Sequence, residues 1–182
     1  MSIHITISIM ERIGSMSKGI KFIKEYRCPC WDEFPDIDLY MDQVLTFLNQ
    51  HLEPICILNN EKKLTASMIN NYVKHGIVEK PLKKKYNKTH LVYLYVVCLL
   101  KKIYSMDEIF SLIKIQVKTS DIESAYATFC NQMEDSIQRL FESNKREMIV
   151  TEASEPVRLM QETIQSVVSS LYVQALLFDK SE

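Results

Sequence analysis

The sequence predicts a mainly α-helical protein, with one helical domain followed by a pair of long amphipathic helices. Three observations predict it. The 182 residues include only 3 Gly and 5 Pro, too few turn formers for a sandwich or barrel of many short strands. Apolar residues make up 47% of the chain, and most recur at helical spacings of three and four. Two Ser-x-x-Glu capping boxes, Ser105–Glu108 and Ser120–Glu123, mark helix starts.

The elements follow in order. Residues 2–9, Ser-Ile-His-Ile-Thr-Ile-Ser-Ile, alternate with a strand period but have no evident partner strand. Pro35 closes off what precedes it, and Asp36 or Asp38 can cap a helix from about Ile37 to His51, ended by Pro54. Thr65 caps a second helix, Ala66 to His75, and Gly76 sits where a left-handed residue stops a helix. Glu79-Lys80-Pro81 is a rigid turn, and Leu82 to Tyr86 is short, extended and basic.

Asn87 or Lys88 opens a third helix, to about Lys102. It is apolar on most sides, so it should be the central, most buried one. Ser105 opens a fourth, to about Gln116. Ile122, Tyr126, Phe129, Met133, Ile137 and Leu140 then form one stripe. Val157, Met160, Ile164, Val167, Leu171, Ala175 and Phe178 form another, beyond a polar linker from Glu142 to Glu155. Each stripe needs a partner, either the first domain or a second subunit. The chain thus divides into an N-terminal extension (1–25), a domain over 26–118, and a helical dimerisation or effector region over 119–182.

The net charge of −1 conceals an asymmetry. Residues 61–102 hold ten Lys against two Glu, between two acidic flanks. Such a block is either a solvated face or a site for an anionic partner. Five cysteines are unevenly spaced, with Cys28-Pro-Cys30 the one close pair. No secretory leader or 18-residue apolar run is seen, so free thiols in a reducing cytoplasm and no membrane span are expected. No metal-ligand spacing and no cofactor motif are present.

The order helix, connection, helix, Gly, basic segment, buried helix, capped helix matches a winged helix-turn-helix. The second helix would be the recognition element. Met68, Ile69, Tyr72 and Val73 would face the core, leaving Ser67, Asn70, Asn71, Lys74 and His75 for base edges in a major groove. Thr65 and the helix start could hold a phosphate. Lys83, Lys84, Lys85, Tyr86 and Lys88 would form the wing. Its ammonium groups would add affinity rather than sequence choice, while Tyr86 would brace the hairpin or donate to a phosphate.

These residues carry a resemblance. The stretch Leu64 to Val78, then Pro81, Lys83 to Tyr86, Thr89 to Leu91 and Leu100 to Ile109 resemble the DNA-binding domain of the MerR (mercury-resistance regulator) class. Ile69, Tyr72, Gly76, Tyr86 and Ser105 to Ile109 fall on its motif positions. Residues 26–120 resemble more closely a bacterial family known only as a domain of unknown function, whose members are often described as transcription regulators. Arg27-Cys-Pro-Cys-Trp31, Pro35 to Gln43 and Met68 to Gly76 carry that likeness. The resemblance implies a MerR-like winged helix-turn-helix that binds double-stranded DNA as a homodimer.

The sequence also departs from the MerR pattern. Asn70 and Asn71 stand where that class has Arg and Tyr. The wing is short and lacks Gly and Arg. The connection from Leu52 to Leu64 is long, and the cysteines miss the metal-sensing positions.

The competing reading is a helical protein–protein interaction module without DNA binding, favoured by the acidic flanks and near-zero net charge. An enzyme is not expected, because no phosphate loop, nucleophile elbow or metal set is present. Asp36, Asp38 and Asp42 are accounted for by capping and the helix dipole. A small-molecule effector could sit between the long helices against Met133, Met148, Met160, Phe129, Tyr126 and Tyr172, although core packing is the more ordinary use of such residues.

Overall fold

The computed structural model describes residues 17–58, 60–141 and 154–181. The alternating stretch at 2–9, Met148 and nearly all of the polar linker lie outside the described residues. Helix α1 spans Lys18–Glu25, and a 3-10 turn covers Trp31–Glu33. Then come α2 (Met41–Leu58), α3 (Ala66–Lys74), α4 (Lys88–Leu100), α5 (Met106–Gln116), α6 (Ile122–Phe141) and α7 (Glu155–Ser181). Among the described residues there is no strand, only two isolated antiparallel bridges, Leu39 with Tyr86 and Leu82 with Lys85.

As its all-round apolar sequence predicts, α4 is the centre. Leu91, Leu94, Tyr95, Val97 and Leu99 are essentially inaccessible to solvent. Helix α2 packs on α4, and α7 lies against α1, α2, α5 and α6. Phe34 packs near-perpendicular on Tyr95 and Tyr126, with centroids 6.3 and 5.5 Å away. It thereby joins the segment before α2 to α4 and α6.

Two boundaries differ from the sequence reading. The first large helix begins at Met41, not Ile37, because residues 38–40 are drawn into the bridge with Tyr86 (N···O 2.8 Å in both directions). It also runs through Pro54 to Leu58. An interior proline costs roughly 3 kcal/mol. Leu52, Ile55 and Leu58, all buried, offset that at about 1.5–3 kcal/mol each. The connection to α3 is therefore residues 59–65, rather than the longer loop that a stop at Pro54 implies.

The second capping box also shifts. Asp121, not Ser120, caps α6. Its carboxylate accepts from the Ser124 amide at 2.9 Å and the Ser124 hydroxyl at 2.7 Å. These bonds hold the Asp121 carboxyl below its ordinary range, and an ionised acceptor at a helix N-terminus is favoured over a hydroxyl.

Helix α1 is not foreshadowed by the strand-like start of the chain. It buries Gly19 and Ile23, and Phe22 meets Phe178 of α7 edge-on at 6.2 Å. The long stripes fold back onto the rest of the chain. Tyr126, Phe129, Met133 and Ile137 of α6 are buried, as are Met160, Ile164, Val167, Val168, Leu171 and Ala175 of α7. Val157, read as part of the α7 stripe, is exposed, as are Val173 and Leu176.

Candidate nucleic-acid interface

The local sequence builds α3 and its stop as expected. The Thr65 hydroxyl accepts from the Met68 amide. At the other end, the Ile77 amide reaches the Tyr72 carbonyl at 3.2 Å and the Gly76 amide reaches Val73 at 3.0 Å, with Gly76 at φ +73°. That is a Schellman motif, and it needs a left-handed residue that only Gly adopts without strain. His75 is the C-cap rather than the last helical residue.

Ile69 and Tyr72 are buried, and Thr65, Ser67, Asn70, Asn71, Lys74 and His75 are exposed. The polar face of α3 is therefore open to solvent. Asn49 of α2 holds it in place. The Asn49 side chain donates to the Leu64 carbonyl at 3.1 Å and accepts from the Leu64 amide at 2.7 Å, one residue before the α3 cap. Sequence reading missed Asn49, because a polar residue in mid-helix gives no sign of its partner. Asn49→Ala should lower stability by about 1–3 kcal/mol, since two backbone groups lose their partner. A urea titration with an unchanged m-value would check it.

The expected wing is one tight turn. The Lys85 amide donates to the Leu82 carbonyl at 2.9 Å, and both central residues have positive φ, +50° at Lys83 and +64° at Lys84. This is the I′ geometry that normally selects Asn-Gly. Two consecutive lysines there are strained, at about 1–2 kcal/mol each. Lys83 and Lys84 are exposed. Among the described residues no carboxylate pairs with Lys74, Lys83, Lys84 or Lys85. Lys85 lies over the Tyr40 ring, 5.0 Å from its centroid.

Two members of the candidate set behave differently. Tyr86 is 3% exposed, bridged to Leu39 and edge-on to His90 at 5.7 Å. It braces the turn and is not available to a phosphate. Lys88 is paired with Asp36 at 2.6 Å and lies 5.3 Å from the Trp31 ring, so its charge is already balanced. Sequence reading also missed three exposed apolar side chains nearby. They are Leu82 (76%), Ile37 (70%) and Tyr40, of which Leu82 opens the turn and Tyr40 lies under Lys85. Residues 77–81 alone separate Gly76 from Leu82, so the end of α3 and the turn lie within about 20 Å of each other.

Helix α4 starts directly after the turn. The Asn87 side chain accepts from the His90 amide at 3.1 Å, and the Asn87 amide donates to His90 Nδ1 at 3.1 Å. Burial holds the His90 imidazole below its ordinary value of 6.5, against smaller opposing effects of the Glu79 and Asp38 carboxylates and the Lys80 carbonyl. The unfolded chain therefore protonates this ring more readily than the folded one. The stability due to neutral His90 is complete above pH 6.5 and is lost as the pH falls below it, until the folded ring also takes a proton. Denaturation midpoints between about pH 6.5 and 5 should fall in the parent chain. His90→Gln, which keeps an N3 acceptor for the box, should remove that part of the slope.

The imagined effector pocket is small. A cavity of about 80 Å³ between α4, α5, α6 and α7 is lined in part by Tyr126, Phe129 and Met160. Met133 is fully buried core. The volume is well below the roughly 150 Å³ that admits benzene.

Residues 29–129 match the model of a family described as a domain of unknown function (DUF1836), and nothing in that match links the chain to the MerR class. No curated protein and no solved structure matches the chain.

Proposed function

We propose, for a chain that belongs to the DUF1836 family of domains of unknown function, that it is a DNA-binding transcription regulator acting on duplex DNA as a homodimer. One observation carries the reading. An exposed face of small polar side chains, ended by a Schellman stop, is followed within a few residues by two exposed lysines held in a strained turn, with no carboxylate paired to either among the described residues. Strain of this kind is retained where it presents a group for use. Asn70 and Asn71 are suited to adenine edges, and Lys74 to guanine or phosphate. Lys83, Lys84 and Lys85 would neutralise phosphates. The outer face of α7, with Val173 and Leu176 exposed, is a surface through which two copies could set a half-site spacing.

The test is retention of random-sequence duplex DNA, followed by fluorescence anisotropy at several salt concentrations. Binding should weaken linearly in log K against log salt. Lack of retention at low salt would rule the reading out.

A second reading has its own support. Leu82, Ile37 and Tyr40 give the basic turn an apolar rim, which suits an acidic amphipathic segment of a protein. Partner capture that survives nuclease treatment, without duplex binding, would favour it.

A further inference from the structure

Two thiols flank the family-matched stretch, Cys28 just before it and Cys130 just after it. Neither is in a disulfide. The fold brings them together. The Tyr126 hydroxyl of α6 donates to the Pro29 carbonyl at 2.8 Å, and the Tyr126 ring packs on Trp31 with centroids 6.5 Å apart. The Cys28-Pro29-Cys30 segment is therefore fixed on α6. Cys130 is four residues beyond Tyr126, on the same face of the helix, so the Tyr126–Pro29 bond sets its thiol in the neighbourhood of Cys28, close enough for each sulfur to perturb the other. The two differ in access, with Cys28 buried and Cys130 half-buried.

We propose that Cys130 and Cys28 are a peroxide-responsive thiol pair, in which Cys130 is the attacking sulfur and Cys28 the resolving one. The neighbouring Cys28 side chain holds the Cys130 thiol below its ordinary range, against burial and the Glu134 carboxylate. The Cys28 thiol is pushed up, by the neighbouring Cys130 side chain and by burial. Cys130 is the sulfur of the pair that a small oxidant can reach and Cys28 lies buried beside it, the division of labour that an attacking and a resolving thiol need.

In the first step the Cys130 thiolate attacks one oxygen of hydrogen peroxide. An S–O bond forms and the O–O bond breaks. The departing hydroxide takes a proton and leaves as water, and Cys130 is a sulfenic acid. In the second step Cys28 gives up its proton and its sulfur attacks Cys130 Sγ. The S–S bond forms, the S–O bond breaks, and the hydroxide leaves with that proton as a second water. Two thiols are oxidised to one disulfide while one peroxide is reduced to two waters.

Cys30 is the competitor, because it is exposed. Exposure alone would make it the first thiol oxidised, whereas the proposal gives that place to Cys130.

The experiment uses the full reduced chain, hydrogen peroxide at stoichiometric amounts, and peptide mapping by mass spectrometry without reduction. The expected product links the Cys28 and Cys130 peptides within one chain, two hydrogens lighter than the separate thiols. With Cys28→Ser, dimedone should label Cys130, and with Cys30→Ser the Cys28–Cys130 link should still form. Oxidation confined to Cys30, a Cys30–Cys130 bond, or links only between chains would overturn the proposal. The linkage map of the parent chain decides even where a serine variant does not fold. The outcome is independent of DNA binding, so failure of either reading leaves the other to its own test.

Discussion

Replacing Lys83, Lys84 and Lys85 together by Ala should weaken duplex binding by up to about 10²-fold near 0.15 M salt. Each neutralised phosphate adds a slope of roughly −0.9 in log K against log salt. Removing three ammonium groups takes up to ~2.7 from the slope, which at that salt is about two decades in affinity. Anisotropy titrations from low to moderate salt read both quantities. Asn70→Ala with Asn71→Ala should do the opposite. The slope should stay, and discrimination between sequences should fall by about 1–3 kcal/mol for each base edge that is no longer read. A control separates charge from shape. Lys83→Asn with Lys84→Gly suits the positive φ values of the turn, so it should raise stability by about 1 kcal/mol or more while still weakening binding. An unchanged slope in the triple variant would show that the lysines do not touch the backbone of the nucleic acid.

Gly19→Ala should destabilise the chain, although alanine is the better helix former. Propensity favours Ala over Gly in a helix by up to about 1 kcal/mol. A Cβ at position 19, however, would lie 2.5 Å from the Ala175 carbonyl oxygen of α7. That atom is backbone, so it cannot swing away. Overpacking of this kind costs about 1–3 kcal/mol or more, and the clash decides the sign. The variant should melt several degrees lower, and α1 and α7 should lose protection from hydrogen exchange first. A rise in the melting temperature would mean that α7 does not dock on α1 in solution, and that its stripe is buried elsewhere.

Much of the candidate interface was legible because it is written in local terms. Thr65, Gly76, Asn87 and Ser105 act within four residues of themselves through capping and stop geometry, and α3, α4 and α5 begin and end close to where those residues place them. The exposure of Ser67, Asn70, Asn71 and Lys74 follows from a 3.6-residue period once Ile69 and Tyr72 are buried. For Tyr86 the choice between bracing and phosphate contact, and for Lys88 its pairing, could not be made from the sequence, because their surroundings come from residues 31–39, far away in the chain. A bridge to Leu39 and a pairing with Asp36 leave no trace in the spacing around them. Asn49 was missed for the same reason, since its partner Leu64 lies beyond the connection from α2 to α3.

The order of amino acids alone sets α3, α4 and α5 with their caps, the buried character of α4 and the basic block at 61–102, because these depend on neighbours a few residues apart. The folded chain was needed to carry Pro54 inside α2, to make the basic segment at 82–85 a two-residue turn on strained lysines, and to close the long stripes over α1, α2 and α5. It also brought Cys28 to Cys130. Those outcomes rest on which surfaces remain to be buried once all helices compete for the same core, and on backbone approaches as close as that of Gly19 to Ala175. Such terms are sums over distant pairs, and a periodicity read along one strand of text does not contain them.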